Sequence, residues 1–455
     1  PQAILDSIAE IRDAISNKLQ EDPESLIAGG RYDAIDEHLS QVYEPNYSRH
    51  SVSEKIDRIV TSRIFGIPIF IAVMFFVYWI STFGGGLGKW IGDWVNDVLI
   101  RDIILQNVRR FLESIGTSPW LTGLIVDGGL QGAGAVIGFL PQMTLLFICL
   151  TLLEQIGYMS RVAFLMDRIF KRFGLSGKSF IPIIVSSGCA VPGILSTRTI
   201  ERVQDKRMTV MLASFIPCGA KLPAISLIAG SFFGDAWWFA PVVYFICILA
   251  ILLGGLILKK FPAFEGKSAP FVLEMPPYHI PGLRSVAKQV WDQLKNFLQK
   301  AGTLILLSSL ILWLFTHLTP SLQMTFAAEE SILAKLGKAI SPIFKPLGFP
   351  HWQAVVATAT GFVAKENLVS SMAVFFPIPV ELQGDPQSLQ PFAQELFTAG
   401  QLGGFSFLMF NLLNMPCVAA VGAIRREMQS AKWTGATIAF QMITAYSASF
   451  IFFQI

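Results

Sequence analysis

Apolar and charged positions fall into separate blocks along the 455-residue chain. Residues 64–88, 128–153, 179–197, 236–258, 396–424 and 433–455 contain no Asp, Glu, Lys or Arg. A helix needs about 20 apolar residues to cross a bilayer core, and these blocks reach or approach that length. Ahead of them, Ile4, Leu5, Ile8, Ile11 and Ile15 recur at helical spacing, and a second short helix is expected over 32–42 after Gly29-Gly30. The pattern predicts an all-α polytopic membrane protein of about eight to ten transmembrane or re-entrant helices, preceded by a short helical arm. Between Lys89 and Arg110, charges alternate with Trp, Ile, Leu and Val at helical spacing. That stretch fits a helix along the membrane interface or, equally, a helix in a water-exposed loop.

Composition narrows the class. The chain is 53% apolar and 15% charged, where an average soluble protein has about 25% charged residues. A soluble enzyme, a disordered chain, a collagen-like chain and a disulfide-stapled chain are excluded. Residues 1–60 carry 6 Lys/Arg against 12 Asp/Glu, while the remainder carries an excess of basic residues. An acidic arm thus precedes a basic body, which argues against a nucleic-acid partner.

Arg49, Lys55, Arg58 and Arg63 stand before the first apolar block, so the positive-inside rule puts the arm in the cytoplasm. The loops Arg161–Lys178, Arg198–Arg207, Lys259–Lys300 and Arg425–Lys432 are basic and belong on the same side. The loop 377–400 has no Lys or Arg and belongs outside. The first apolar run follows a charged arm, unlike a secretory signal, and the chain opens on Pro1 rather than Met, as a piece of a longer protein would. The expected organisation is an arm over 1–62, a first membrane helix and interfacial helix over 63–118, and a membrane repeat over 119–258. A basic connector over 259–300 and a second repeat over 301–455 follow.

The repeat shows in two stretches. Ile169-Phe170-Lys171 and Gly174 lead through an apolar stretch to Gly188-Cys189-Ala190-Val191-Pro192, with 19 residues from Ile169 to Gly188. Ile343-Phe344-Lys345 and Gly348 lead similarly to Gly361-Phe362-Val363-Ala364-Lys365-Glu366, with 18 from Ile343 to Gly361. Paired, Gly/Pro-interrupted apolar segments in two halves of a chain point to a transporter's midplane site.

Chemistry concentrates at such interruptions. Gly177-Lys178-Ser179 and Gly266-Lys267-Ser268 end like phosphate-binding loops, but Arg172 and Phe261 stand where the first glycine is needed. Gly134 and Gly138 suit close helix packing. Cys149 and Cys247 lie in smooth apolar runs as small hydrophobes. Cys189, Cys218 and Cys417 instead adjoin helix breakers, in Gly188-Cys189-Ala190-Val191-Pro192, Pro217-Cys218-Gly219-Ala220-Lys221-Leu222-Pro223 and Pro416-Cys417. A broken helix frees carbonyls beside a sulfur, a donor set suited to a transition-metal ion more than to Na⁺, Ca²⁺ or Mg²⁺. The competing reading is cysteine at a packing kink.

Ionisable residues within spans face a pathway or a partner. Glu154 ends a charge-free run and is the best carboxylate for a cation route, while Lys365 and Glu366 follow the second interruption. Lys221 lies between uncharged stretches of 13 residues and could pair with Glu366 or Glu154.

At these segments the chain resembles the ferrous-iron transport protein B family of prokaryotes, from about residue 29 to the C-terminus. The likeness rests on Gly66-Ile67-Pro68-Ile69-Phe70, Gly138-Phe139-Leu140-Pro141-Gln142, Leu153-Glu154-Gln155-Ile156-Gly157-Tyr158-Met159-Ser160-Arg161 and Gly188-Cys189-Ala190-Val191-Pro192. Leu273-Glu274-Met275-Pro276-Pro277-Tyr278, Ala364-Lys365-Glu366 and Met415-Pro416-Cys417 extend it.

The resemblance implies an Fe²⁺ importer of the plasma membrane with two gate-type regions. It puts Cys189, Cys218, Cys417, Glu154 and the carbonyls of Gly188 and Gly361 on the iron route, with Pro192, Lys221, Lys365 and Glu366 in the pathway or its gating. It also implies GTP and Mg²⁺ bound by a GTPase domain that no residue here forms, whether joined to the chain or separate. Small accessory iron-transport proteins and a homo-oligomer are further implied. Ser187 and Ala190 depart from the family's usual Phe and Asn. The alternatives are a nucleoside or organic-solute carrier of the same architecture, and a membrane-embedded thiol enzyme relying on Lys221 beside Cys218.

Overall fold

The structure is a computed structural model that describes residues 34–35, 52–62, 64–81, 86–172, 175, 177–234, 236, 238–264, 278–321, 323–325, 328–374 and 396–454. Most of the arm, Gly174, the Leu273–Pro277 motif and most of the loop 377–400 lie outside the described residues. The chain divides into two units, Pro1–Ile56 and Asp57–Ile455, and the second holds the elements that matter here.

Helices make up the described residues apart from an isolated bridge between Leu318 and Met324. The first are α1 (Val52–Val60) and α2 (Gly66–Ser81). Next, α3 (Leu87–Trp94) runs through a π-helical stretch, Val95–Leu105, into α4 (Gln106–Ser114). This is the helix expected from the alternating charges. A long helix, α5 (Pro119–Gln155), packs on it where side chains vanish. A Cβ on Gly134 would stand 2.4 Å from Ile100, and one on Gly92 would stand 2.9 Å from the Gly138 carbonyl. The glycines therefore let the backbones approach, as their spacing predicts.

After α6 (Tyr158–Arg172) come the elements of the first repeat. They are the half-helices α7 (Phe180–Gly188) and α8 (Ala190–Ser196), then α9 (Val203–Ala213) and α10 (Leu222–Phe233), and the unbroken α11 (Phe239–Lys259). The charge-free run 179–197, which reads as one span, is thus two short helices. Helices α12 (Leu283–Phe297) and α13 (Thr303–His317) lead to the second repeat. It contains α14 (Ile332–Phe344), the halves α15 (Trp352–Val363) and α16 (Asn367–Val374), and the halves α17 (Gln401–Leu413) and α18 (Val418–Met428). Helix α19 (Ala431–Gln454) closes the chain.

Four helical segments are long and apolar enough to cross a bilayer: Pro119–Gln155, Phe239–Lys259, Gln401–Met428 and Ala431–Gln454. Shorter apolar helices cover Gly66–Ser81, Gly219–Phe233, Leu306–His317 and Trp352–Val363. Helix α11 shows why a bilayer is required. Val243, Cys247, Ile251 and Leu258 are buried, yet the opposite face exposes Phe245, Ile248, Leu253 and Ile257. A helix apolar all round needs an apolar solvent on its outer face. The inner faces of both repeats share one core, with Phe215, Phe239, Phe349, Phe407 and Phe410 fully buried. Polar ties cross it: Ser406 and Ser449 exchange hydroxyl-to-carbonyl bonds of 3.0 and 2.9 Å, and Gln441 donates to the Met211 carbonyl and to Ser214 Oγ.

Candidate functional site

Four helix breaks converge on one cavity, with room for a water-sized sphere over about 50 Å³, enough for a few waters or a partly hydrated ion. Its lining draws Gly188 and Cys189 from the first break, Cys218 and Lys221 from the second, Ala364, Lys365 and Glu366 from the third, and Pro416 and Cys417 from the fourth. Phe139 and Met143 of α5 and Phe297 of α12 complete the wall. Three of the five cysteines therefore meet at one place, although 228 positions separate Cys189 from Cys417. All five are free thiols.

Two kinds of break build the site. In the first, a single extended residue separates two half-helices. Cys189 has φ −149° and ψ 130°; its amide bonds the Val185 carbonyl of α7, and its own carbonyl accepts from Gly193 of α8. Ala364 repeats this with φ −144° and ψ 129°, its amide bonding the Thr360 carbonyl. The backbone thus pairs Cys189 with Ala364, which moves the alignment expected from sequence: Gly188 corresponds to Val363, and Gly361 to Ser186. Pro192 falls in the first turn of α8, where its missing N–H is not needed.

In the second kind, a Pro-Cys pair opens the second half. Cys218 caps the turn Gly219–Lys221 that leads into α10, and Cys417 caps α18. Their carbonyls accept from Lys221 N at 2.9 Å and Ala420 N at 2.9 Å.

The lysines take partners that sequence reasoning missed. Lys221 reaches backbone carbonyls, Leu412 O at 2.7 Å and Ser214 O at 3.2 Å. Lys365 donates to Asn414 Oδ1 at 2.5 Å and approaches Asn411 O at 3.5 Å. Ser214 follows the last residue of α9, and Asn411–Asn414 end α17. Two ammonium groups therefore neutralise the C-terminal ends of half-helices, where each macrodipole concentrates roughly half a negative charge. The charge of Lys221 answers carbonyl dipoles; the carboxylates of Glu154 and Glu366 were the expected partners.

Other candidates fall outside the lining. Glu154 ends α5 and accepts a 3.3 Å bond from Gln289 of α12. Gly361 is buried against Leu368, which a Cβ there would meet at 3.4 Å, so its small size serves a helix crossing. Cys247 is buried in the core and Cys149 half-buried among apolar side chains, as expected. Gly177 gives its amide to Asp167 Oδ1 at 2.9 Å, as part of a structural turn. Among the described residues, no group of three or more His, Cys, Asp or Glu is gathered closely enough to hold a metal ion as it stands.

Two features went unread in the sequence. Tyr78 of α2 hydrogen-bonds Ser187, one residue from the break at Gly188, so the first span braces the first repeat. Arg161 is 1% exposed and binds both oxygens of Asp57, at 2.6 and 3.2 Å. It also donates to the Gly157 carbonyl at 2.9 Å and stacks its guanidinium 3.9 Å from the Tyr278 ring centre. Burial pushes the Tyr278 phenol up to about 12, so this ring stays neutral. At the exposed edge, the Lys178 hydrogen bond holds the Glu201 carboxyl below the usual range.

Paired broken helices around a central cavity define a gate-type, multi-pass membrane protein. The family described as Gate, nucleoside recognition, matches residues 136–232 and 298–431, just over half of the chain in two segments. That described as ferrous iron transport protein B C terminus matches residues 240–293. The chain belongs to the ferrous iron transport protein B family, of which it forms the membrane part. It is 36% identical over 416 residues to the Fe(2+) transporter FeoB of Staphylococcus aureus (strain COL), covering 90% of this chain and 60% of that protein. It is 31% identical over 486 residues to the Fe(2+) transporter FeoB of Escherichia coli (strain K12), covering 96% of this chain and 62% of that protein. A Porphyromonas gingivalis protein named as a fusion of Fe(2+) transport protein A with Fe(2+) transporter FeoB is 33% identical over 484 residues, covering 95% of this chain and 55% of that protein. The chain thus spans roughly 60% of the length of these curated relatives. No solved structure matches.

Proposed function

We propose that the cavity at the four breaks is the Fe²⁺ route of a plasma-membrane importer. The observation that carries this reading is the meeting of Cys189, Cys218 and Cys417, one thiol from each of three breaks, beside backbone carbonyls that the breaks free. Sulfur with carbonyl oxygen selects a transition-metal ion over harder cations. Thiols distributed over separate half-helices favour stepwise exchange of ligands, strong enough to select and weak enough to release. Gly188 contributes its carbonyl at the cavity. Glu154, at the far end of α5, is a waypoint beyond it, and Pro192 with Glu366 shapes the breaks.

The arm and the basic loops lie on the cytoplasmic side. A GTPase domain, joined or separate, gates the route, and accessory iron-transport proteins assist it; the naming of the Porphyromonas gingivalis relative supports the latter. The matched segments support the organisation into a first repeat over 119–258, a connector over 259–300 and a second repeat over 301–455.

Anaerobic titration of Fe²⁺ into the detergent-purified chain tests the reading. Saturable binding is expected, abolished by Cys189→Ala or Cys218→Ala and indifferent to uridine. Full binding in both variants would remove the thiols from the route, and displacement by uridine would favour a nucleoside carrier.

A further inference from the structure

We propose that Lys221 and Lys365 act as fixed cations at the carbonyl positions an alkali-metal ion would otherwise take, so that the route is indifferent to Na⁺ and K⁺. The argument starts from the oxygens. Lys221 Nζ lies 2.7 Å from Leu412 O and 3.2 Å from Ser214 O; Lys365 Nζ lies 2.5 Å from Asn414 Oδ1 and 3.5 Å from Asn411 O. These are neutral, hard oxygen donors at unwound ends of α17 and α9. In transporters built from broken helices, unwound carbonyls and half-helix C-terminal ends are where coupling cations bind. Here both such places are filled by side chains of the protein.

The ammonium group is a fair substitute. It carries one positive charge, is close to K⁺ in size, and accepts several carbonyl contacts at once. Both lysines are 4% exposed and line the cavity with the three thiols. A charge bound by a covalent tether cannot leave with the cargo. The carbonyl set is thus closed to a mobile monovalent ion, while the sulfur-bearing part of the same cavity stays open to a soft divalent one. Lys221 also joins the repeats, because Ser214 belongs to the first and Leu412 to the second. The lysines are specificity-determining by occupation, and they need not touch the transported ion. The proposal takes its meaning from the cavity being a cation route, but its test uses no iron.

The test is thermal unfolding of the purified chain in NaCl, KCl or choline chloride at one ionic strength. The wild-type chain is expected to melt at the same temperature in all three. Lys221→Ala and Lys365→Ala empty the carbonyl sites, so in either variant NaCl or KCl is expected to raise the melting temperature saturably, by several degrees over choline chloride. Lys221→Arg, which keeps a fixed cation, is expected to stay indifferent. A variant recovered folded only in NaCl or KCl supports the proposal. Three results overturn it: saturable stabilisation of the wild-type chain by either salt, two folded alanine variants that both ignore the salts, or alanine variants that cannot be recovered in any of them. Failure of Fe²⁺ to bind the wild-type chain would sink the iron reading while leaving this test intact.

Discussion

The breaks at Cys189 and Ala364 have the same backbone and different chemistry. In the first repeat, a Cβ on Gly193 of α8 would come 2.6 Å from the Ser186 amide nitrogen of α7. By the register that pairs Cys189 with Ala364, the equivalent crossing in the second repeat is Leu368 over Gly361. The small residue has changed sides: it lies after the break in one repeat and before it in the other. The crossing was preserved while the residue that permits it moved. Side-chain chemistry diverged as well, with a thiol at Cys189 where the second repeat has a methyl group at Ala364, followed by Lys365 and Glu366.

The sharpest way to break this comparison is steric. Gly193→Ala meets rigid backbone and is expected to cost about 3 kcal/mol, read as a large drop in melting temperature or loss of folded protein. Gly361→Ala meets an ordinary contact in a helix and should be neutral or stabilising by up to about 1 kcal/mol. Equal effects of the two substitutions would contradict the swapped crossing.

A chemical exchange sharpens the comparison further. Ala364→Cys places a fourth thiol at the cavity and is expected to tighten binding of Fe²⁺ and Zn²⁺ on the order of tenfold. Unchanged isotherms for both metals would show that the second repeat's break does not face the bound ion.

The smallest effect belongs to Glu154→Gln. Because Glu154 lies beyond the cavity, saturable Fe²⁺ binding should stay within about twofold of wild type, while uptake into cells slows a few-fold. Loss of binding would return Glu154 to the ion's immediate surroundings.

How much could be read from sequence follows the range of each signal. Charge-free runs and a proline or glycine beside a cysteine are local, so the spans and the breaks at Cys189, Cys218 and Cys417 were legible. Their convergence was not, because periodicity says nothing about which breaks meet. The lysines were legible as buried charges, but their partners are carbonyls, which every residue carries and no sequence distinguishes. Gly361 drew attention as a glycine near a break, and its packing against Leu368 depends on a crossing visible only in three dimensions. Arg161 looked like one more basic loop residue, since Asp57 and Tyr278 are more than a hundred positions away.

That last cluster sets an order of events during synthesis. Arg161 binds Asp57, made before it, and stacks on Tyr278, made well after it. The ring cannot close until residue 278 has left the ribosome, when α11 is already made and α14 through α19 are not. Until then the guanidinium lacks the aromatic face that covers it. A buried arginine with incomplete partners is costly, so the first repeat and the segment ending at Val60 are locked together just as the second repeat begins to emerge. Tyr278 therefore acts as a timekeeper of biogenesis, marking the first half as finished before the second half competes for the same surfaces.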